Sequence, residues 1–268
     1  MTDTPRPTRF AGESWRTASA MHARVVGAVI MRDLQTRFGA GYFGFLLGLL
    51  MPLGHLGIVI LITTLLKRPI PLGRETPVFV MTGVLPFIIW LYSHRQIMLT
   101  AIQNRPLLYF PSVDFIDLFI ARIIIEIIAA TIVVFSVLST ISLLGYDLTI
   151  NNPSRFVLGL ILAWVVGIST GLIIGLLGFL VPIFTIFGNI MGTIFWITCG
   201  IFFLPDFLPE SIRNIIFFNP LSHIIDLIRE AVYSEYIGSF YDANFLISSI
   251  LILFAISMLL MRIVRKYT

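Results

Sequence analysis

The sequence predicts an all-α, polytopic membrane protein, and three observations support this fold class. Hydrophobic residues make up 57% of the 268 residues, charged residues make up 12%, and the mean hydropathy is +0.97. A typical soluble domain carries about 25% charged residues. Apolar runs of membrane-spanning length recur along the chain, separated by short segments rich in proline, glycine and charge. We therefore expect six transmembrane helices, an N-terminal amphipathic interfacial helix, a short cytoplasmic helix and two short re-entrant outer helices.

The chain divides into two predicted units, a cytoplasmic tail with an amphipathic interfacial helix at residues 1–40 and a six-span membrane domain at residues 41–268. From Trp15 onward, arginine and apolar residues interleave at near-helical spacing, which is typical of a basic helix lying on an anionic leaflet. This region has no uninterrupted apolar core, so we do not expect a signal peptide. The single cysteine, Cys199, excludes an intrachain disulfide and a thiolate metal cluster.

The six predicted spans are residues 42–66, 78–102, 118–144, 156–180, 183–203 and 245–261. The second span is apolar only up to Tyr92, about 22 Å of helix against a hydrocarbon core of about 30 Å. It must therefore continue through residues 93–96, with Gly83 and Pro86 marking a kink or a re-entry near its outer end. Two short helices, residues 211–218 and 221–236, precede the last span, and neither can cross the membrane.

The distribution of Lys and Arg predicts the orientation, because six spans place both termini on one side. The cations assigned to the cytoplasm are Arg6, Arg9, Arg16, Arg24, Arg32, Arg37, Arg105, Arg262, Arg265 and Lys266. Those assigned to the outside are Lys67, Arg68, Arg74, Arg155, Arg213 and Arg229. The bias favours cytoplasmic N- and C-termini. We attribute the net charge of +4 to these border arginines and not to nucleic-acid binding.

A short apolar interruption separates the second and third spans. Asn104 and Pro106 end the second span, because proline disfavours helical geometry at the preceding residue. Residues 107–110 are too few to span a membrane and too apolar to remain in water, and Ser112 or Asp114 is the expected N-cap of the next helix. Such a segment either receives a partner protein or rests on lipid headgroups, and the residues leave both open.

Other motifs favour packing over catalysis. Gly167, Gly171 and Gly175 repeat every four residues, which favours close approach of two helices. Ser169 completes a G-x-S-x-G string, but it lies within a helix and not on the strand-to-helix turn that a hydrolase needs. The sequence has no phosphate-binding loop and no metal-ligand cluster, so we expect neither ATP hydrolysis nor a metal site in this chain. Arg122 and Glu126, at i and i+4, form either a structural pair or a substrate contact.

Three stretches together resemble the polysaccharide-export permeases of the type-2 ABC exporter class, and most closely those of bacterial capsular polysaccharide export. The first is R-D-L-Q-T-R-F-G at residues 32–39, followed by residues 44–52. The second is N-R-P-L-L at 104–108, followed by Phe110-Pro111, Asp117 and Ala121-Arg122. The third is F-N-P-L-S-H at 218–223, followed by Arg229-Glu230. The likeness begins near Arg32 and continues to the C-terminus, whereas residues 1–31 match nothing in this pattern.

The resemblance implies a homodimer in the bacterial inner membrane that binds two separate ATP-binding cassette subunits, which hold the ATP and Mg. The implied substrate is a lipid-linked, usually acidic polysaccharide. A periplasmic adaptor and an outer-membrane export channel continue the path in capsule systems, and membrane lipids complete the expected partners. No cofactor is expected in this chain itself.

The resemblance also assigns two groups of residues by position. The segment coupling the chain to the ATPase consists of Asn104, Arg105, Pro106, Leu107, Leu108, Tyr109 and Phe110. The outer gate, on the helices that cap the channel's outer mouth, consists of Arg213, Asn219, Pro220, His223, Asp226, Arg229 and Glu230. From its spacing, the second outer helix should bury an apolar face formed by Leu221, Ile224, Ile225, Ile228 and Val232. His223, Asp226 and Glu230 should then face water or the glycan.

Arg95 stands in the second span about 13 Å from its inner end, and two interpretations stay open. Its side chain either snorkels to the interface or pairs with Glu126, or it faces a hydrated conduit and holds anionic groups of the substrate. The conduit residues of the second interpretation are Trp90, Tyr92, His94, Arg95 and Gln96.

Two other function classes remain as alternatives to the exporter subunit. A secondary carrier is disfavoured because the sequence shows no convincing internal repeat and only one clearly intramembrane acid, Glu126. An intramembrane enzyme has Ser169 as its only candidate nucleophile. Within the exporter class, O-antigen, teichoic acid and small molecules are the alternative substrates. Co-purification of an ATPase separates the exporter from the other two classes.

Overall fold

The computed structural model describes residues 15–37, 42–66, 70–73, 75–111 and 113–266, and within these ranges it is helical with short connections. The long helices are α1 (Trp15–Arg37), α2 (Tyr42–Leu65), α3 (Thr76–Gln103), α4 (Phe115–Leu143), α5 (Pro153–Leu180), α6 (Ile183–Thr198) and α9 (Ala243–Val264). The two short helices that were predicted to lie on the outer side are α7 (Glu210–Phe217) and α8 (Pro220–Val232), and single 3-10 turns occupy Arg105–Tyr109 and Pro205–Phe207. The predicted tail at residues 1–14, the end of the T-R-F-G sequence and Ser112 lie outside the described residues.

Four helices, α3, α4, α5 and α9, are long and apolar enough to cross a membrane. The apolar part of α2, Leu50–Leu65, and helix α6 are shorter than the other four. The all-helical, polytopic class is therefore confirmed, and the count of six spans stays a prediction.

Helix α3 is the centre of the bundle. In its most apolar stretch of 18 residues, 83% of the residues are buried, whereas the share in the corresponding stretch of α9 is 17%. Helix α9 therefore lies at the periphery. It runs without interruption from Thr76 to Gln103, with Pro86 inside it, so the helix passes through residues 93–96 as the length argument required. At 28 residues it is about 42 Å long, enough to cross a membrane, and no re-entry occurs at Pro86.

Helices α3 and α5 pack most closely, at the glycines that the sequence singled out. A Cβ atom on Gly167 would lie 2.9 Å from the Trp90 carbonyl oxygen, and one on Gly171 would lie 2.7 Å from that of His94. The same atom on Gly175 would meet the Met98 carbonyl oxygen at 2.7 Å. Only a residue without a side chain fits these positions, so the packing interpretation is confirmed.

Two predicted helix ends are wrong. The fifth span was expected to reach Phe203, but α6 ends at Thr198, because Cys199 caps it and Gly200 adopts a positive φ of 85°. The second outer helix was expected to reach Tyr236, but α8 ends at Val232. The chain after Val232 then forms a loop that turns back over α8.

Helix α1 begins at Trp15, as predicted, and packs against the start of α4. Its buried residues Val26 and Val29 form one cluster with Leu118 and Ala121. The apolar face of α1 is therefore covered in part by protein, not by lipid alone. This contact places α1 beside the turn that follows α3.

Candidate coupling turn and transport path

The interruption between α3 and α4 is a single 3-10 turn. Helix α3 ends at Gln103, and its C-cap Asn104 accepts the Leu107 N–H at its carbonyl oxygen at 2.9 Å. The Leu107 carbonyl in turn accepts the Phe110 N–H at 3.1 Å. Pro106 lies in the first turn, where its missing N–H leaves no intrahelical bond unmade. We call residues 104–110 the coupling turn.

The coupling turn exposes fewer apolar residues than the sequence suggested. Tyr109 is 83% exposed and Phe110 is 59% exposed, and Arg105 and Pro106 are also exposed. Leu107 and Leu108 are half-buried and pack against the α1–α4 cluster. The two leucines therefore pack in part against their own chain, and Tyr109 and Phe110 project from the turn.

Two aspartates at the start of α4 contact side chains of two other helices. Asp114 is the N-cap of α4, and its backbone N–H is accepted by Asp117 at 2.9 Å in a capping box. Asp114 also pairs with Arg265 at the C-terminal end of α9. Asp117 lies 2.6 Å from the His22 Nδ1 on α1. The start of α4 is thus joined to both α1 and α9.

A buried polar network lies beside the coupling turn. Arg122 Nε lies 3.4 Å from Glu126, so the predicted i, i+4 pair is confirmed. Arg122 also lies 3.2 Å from Asp33 of α1 and donates to the side-chain oxygen of Gln96 on α3. Sequence reasoning missed Asp33, because its partner is 89 positions away and no local pattern links the two.

The predicted conduit residues divide into interior and surface groups. Trp90 and His94 are fully buried and stack on each other with ring centroids 5.1 Å apart. His94 Nδ1 also lies 3.1 Å from the Thr170 hydroxyl of α5. These two side chains pack within the bundle, which corrects the expectation that they line a conduit.

Arg95 is the exposed member of the predicted conduit group, and Tyr92 and Gln96 are half-buried. No hydrogen bond or ion pair joins Arg95 to another residue in the part of the chain that the structure describes. The Arg95–Glu126 pair, one form of the first interpretation, does not occur among the described residues, and Glu126 pairs with Arg122. Arg95 therefore presents a cation on the surface of α3.

The outer helix α8 buries the face that the sequence predicted. Leu221, Ile224 and Ile228 are each 0% exposed, and Ile225 and Val232 are also buried. Its polar face, however, is buried as well, because the 3-10 turn at Pro205–Phe207, α7 and the loop after Val232 cover it. Accessibility along α8 should therefore be low throughout, without the helical periodicity expected from the sequence.

His223 is buried in an aromatic enclosure and does not face water as predicted. Its ring stacks on Phe240 at 4.9 Å and contacts Phe217 and Phe245 at 4.8 Å. Its Nδ1 accepts the Asp242 N–H at 3.1 Å, so Nε2 carries the proton that it donates to the Phe217 carbonyl at 2.8 Å. Burial lowers the pKa of His223, in agreement with this neutral form.

Asp226 is also buried, contrary to the prediction. It accepts the Tyr236 hydroxyl at 2.5 Å and the Tyr241 N–H at 3.1 Å, which fastens the loop after α8 to the helix. Burial raises the pKa of Asp226 to about 6. Glu230 is half-buried and lies 3.1 Å from Arg155 at the start of α5.

Arg229 is fully buried and connects α8 to the segment that follows α6. Its guanidinium donates to the carbonyl oxygens of Ile201 and Phe203 at 2.9 Å each, and lies 4.4 Å from the centre of the Phe79 ring. Burial lowers its pKa to about 10, so it stays charged at neutral pH.

The remaining outer-gate residues also differ in exposure. Asn219 caps α8 and donates to the Thr198 hydroxyl at 2.8 Å, and Pro220 is buried behind it. Arg213 on α7 is half-buried. Ser169, the candidate nucleophile of the enzyme alternative, is buried within α5, where its carbonyl accepts the Ser257 hydroxyl at 3.1 Å.

Comparisons with known proteins agree with this architecture. The family model of the ABC-2 type transporter matches residues 23–233. The polysialic acid transport protein KpsM of Escherichia coli is 28% identical over 239 residues, covering 88% of this chain and 92% of that protein. The capsule polysaccharide export inner-membrane protein CtrC of Neisseria meningitidis serogroup B is 25% identical, covering 89% of this chain and 91% of that protein. The capsule polysaccharide export inner-membrane protein BexB of Haemophilus influenzae is 24% identical, covering 93% of this chain and 94% of that protein. This chain therefore belongs to the ABC-2 type transporter family.

Proposed function

We propose that this chain is the transmembrane permease subunit of an ATP-driven exporter that moves lipid-linked capsular polysaccharide across the bacterial inner membrane. Family membership and the similarity to the polysaccharide export proteins KpsM, CtrC and BexB support the transport class and the glycan. In this proposal the chain works as a homodimer with six spans per copy and both termini in the cytoplasm. The ATP and Mg are held by separate ATP-binding subunits.

The exposed coupling turn is the single observation that carries the mechanism. Tyr109 and Phe110 project from a turn in which Asn104, Leu107 and Leu108 contact α1, α3 and α4. An exposed pair of rings on a rigidly held turn suits insertion into a groove of a partner protein. We place the ATP-binding subunit there, so that its motion displaces the inner ends of α3 and α4.

Arg95 is the residue that we assign to the substrate. Its exposed cation on α3, with half-buried Tyr92 and Gln96 beside it, suits an anionic group such as a lipid-linked phosphate or an acidic sugar. The buried outer-gate residues His223, Asp226 and Arg229 take a different role in this proposal. They hold α8 in place beneath the outer surface and do not contact the glycan.

The proposal is tested by deleting the gene in its own bacterium and following the surface glycan. We expect the cell surface to lose one polysaccharide and its lipid-linked form to accumulate inside, and the wild-type gene to restore export. Affinity purification of the chain should also yield a subunit with a phosphate-binding loop and ATPase activity. Accumulation of an O-antigen or a teichoic acid would contradict the capsular assignment, and an unchanged surface glycan would contradict polysaccharide export. A chain that purifies without an ATPase and transports with an ion gradient would contradict the exporter class.

A further inference from the structure

Helix α1 is bonded to the coupling turn by charged side chains as well as by apolar packing. Arg32 donates to the side-chain oxygen of Asn104, the residue with which the coupling turn begins. The same guanidinium lies 3.1 Å from its neighbour Asp33. Asn104 is 3% exposed, and its amide also donates to the Thr100 carbonyl of α3 at 3.0 Å. One side chain of α1 thus contacts the last turn of α3 where the coupling turn starts.

The chain of contacts continues into the bundle. Asp33 is 6% exposed and lies 3.2 Å from Arg122, which is 5% exposed. Arg122 donates to Gln96, and Gln96 directly follows Arg95. An unbroken series of polar contacts therefore leads from the coupling turn through Arg32, Asp33 and Arg122 to the region of α3 that presents Arg95.

Among the described residues, this network brings two cations, Arg32 and Arg122, together with two carboxylates, Asp33 and Glu126. Burying ion pairs is costly, and apolar side chains of similar volume often stabilise a core as well or better. Stability alone therefore gives weak reason for such a cluster. A polar network instead favours one relative arrangement of its helices, since displacing one helix separates the buried charges of Asp33 and Arg122 from each other.

We propose that Arg32 and Asp33 are positioning residues of the coupling step. They hold α1, the coupling turn, α3 and α4 as one unit, so a displacement of the turn by the ATP-binding subunit reaches Gln96 and Arg95. Without this link the turn still binds the ATP-binding subunit through Tyr109 and Phe110 and still displaces the end of α3, but α1, α3 and α4 no longer move as one unit. This inference rests on the proposed function and gives α1 a role in it.

The test uses the complete permease–ATPase complex in proteoliposomes and measures glycan export per ATP hydrolysed. Arg32→Gln should keep the ATP-binding subunit bound and hydrolysis within about twofold, while export per ATP falls roughly tenfold, as expected for loss of a charged hydrogen bond. Arg32→Lys should restore part of the ratio. The matched control is Arg24→Gln, which removes an exposed cation from the same helix and should leave the ratio unchanged.

A double-mutant cycle with Asn104→Ala separates positioning from general damage. If Arg32 acts through Asn104, Arg32→Gln should add little to the loss of export per ATP that Asn104→Ala causes alone. An unchanged ratio in Arg32→Gln would overturn the inference while leaving the proposed function intact. So would losses in Arg32→Gln that only follow a lower amount of assembled complex and are not relieved by Arg32→Lys. Failure of the wild-type complex to export any glycan would instead overturn the proposed function.

Discussion

The α3–α5 contact gives the most quantitative prediction, because two glycine substitutions should change stability in opposite directions. A Cβ on Gly171 would lie 2.7 Å from the His94 carbonyl oxygen and 2.9 Å from the Ile97 Cβ. Backbone cannot move aside as a flexible side chain can, so α3 and α5 would have to separate along their contact. By contrast, a Cβ on Gly57 of α2 would meet nothing within 4 Å.

The magnitude follows from two opposing effects. Overpacking a core costs about 1–3 kcal/mol, and we take the upper end because the contact is with backbone. Replacing glycine by alanine within a helix recovers about 1 kcal/mol of that. Gly171→Ala should therefore lower the free energy of unfolding by about 2 kcal/mol, whereas Gly57→Ala should leave it unchanged or raise it by up to about 1 kcal/mol.

Thermal unfolding of the purified protein in detergent checks this prediction. For a chain of this size, about 2 kcal/mol corresponds to a decrease of roughly 4–8 °C in the melting temperature of Gly171→Ala. An equal or higher melting temperature for Gly171→Ala than for wild type would refute the tight α3–α5 contact. A similar rise in melting temperature for both substitutions would show that helix propensity, not packing, decides the effect.

Three further predictions concern the coupling turn, the surface cation and the outer helix. Leu108→Asp should lower the amount of folded protein, because it places a charge in the α1–α4 cluster. Tyr109→Asp should leave that amount unchanged and abolish co-purification of the ATPase, because Tyr109 is exposed. The reverse pattern would contradict the assigned exposures. Arg95→Lys should retain part of the export and Arg95→Gln little, at unchanged protein level; full export by Arg95→Gln would refute the anion contact. Burial raises the pKa of Asp226 from 3.8 to about 6, so the folded protein favours the protonated carboxyl. As the pH rises from about 4 to 6, the free energy of unfolding of the wild type should therefore fall by on the order of 3 kcal/mol and then level off. In Asp226→Asn, melting curves over that range should show a flatter profile, and an equally steep one would assign the dependence to another group.

The sequence predicted features that depend on length, spacing and nearby residues. The continuation of α3 through residues 93–96 followed from the thickness of a bilayer. The glycines at 167, 171 and 175 and the Arg122–Glu126 pair followed from helical spacing. The coupling turn followed from Pro106, which cannot continue the hydrogen bonding of α3.

The errors at the outer helix share a physical cause, which is that a helical pattern does not show what covers the polar face. His223 and Asp226 were expected to face water, but segments before α8 and after Val232 fold over them and supply their hydrogen bonds. Trp90 and His94 were placed on a conduit because aromatic and polar residues suit sugars, yet they pack against each other within the bundle. The Asp33–Arg122 pair joins elements that are far apart in the chain and carries no local signal.

The central claim is that the coupling turn docks onto an ATP-binding subunit, and site-specific photo-crosslinking tests it most directly. A photoreactive amino acid replaces Tyr109, which is 83% exposed, and the control replaces Phe135, which is 66% exposed within the apolar helix α4. We predict that the probe at position 109 forms a covalent adduct with the ATP-binding subunit in intact membranes and that the probe at position 135 does not. Adducts with lipid alone at position 109 would contradict the claim and show that the turn rests on the headgroups.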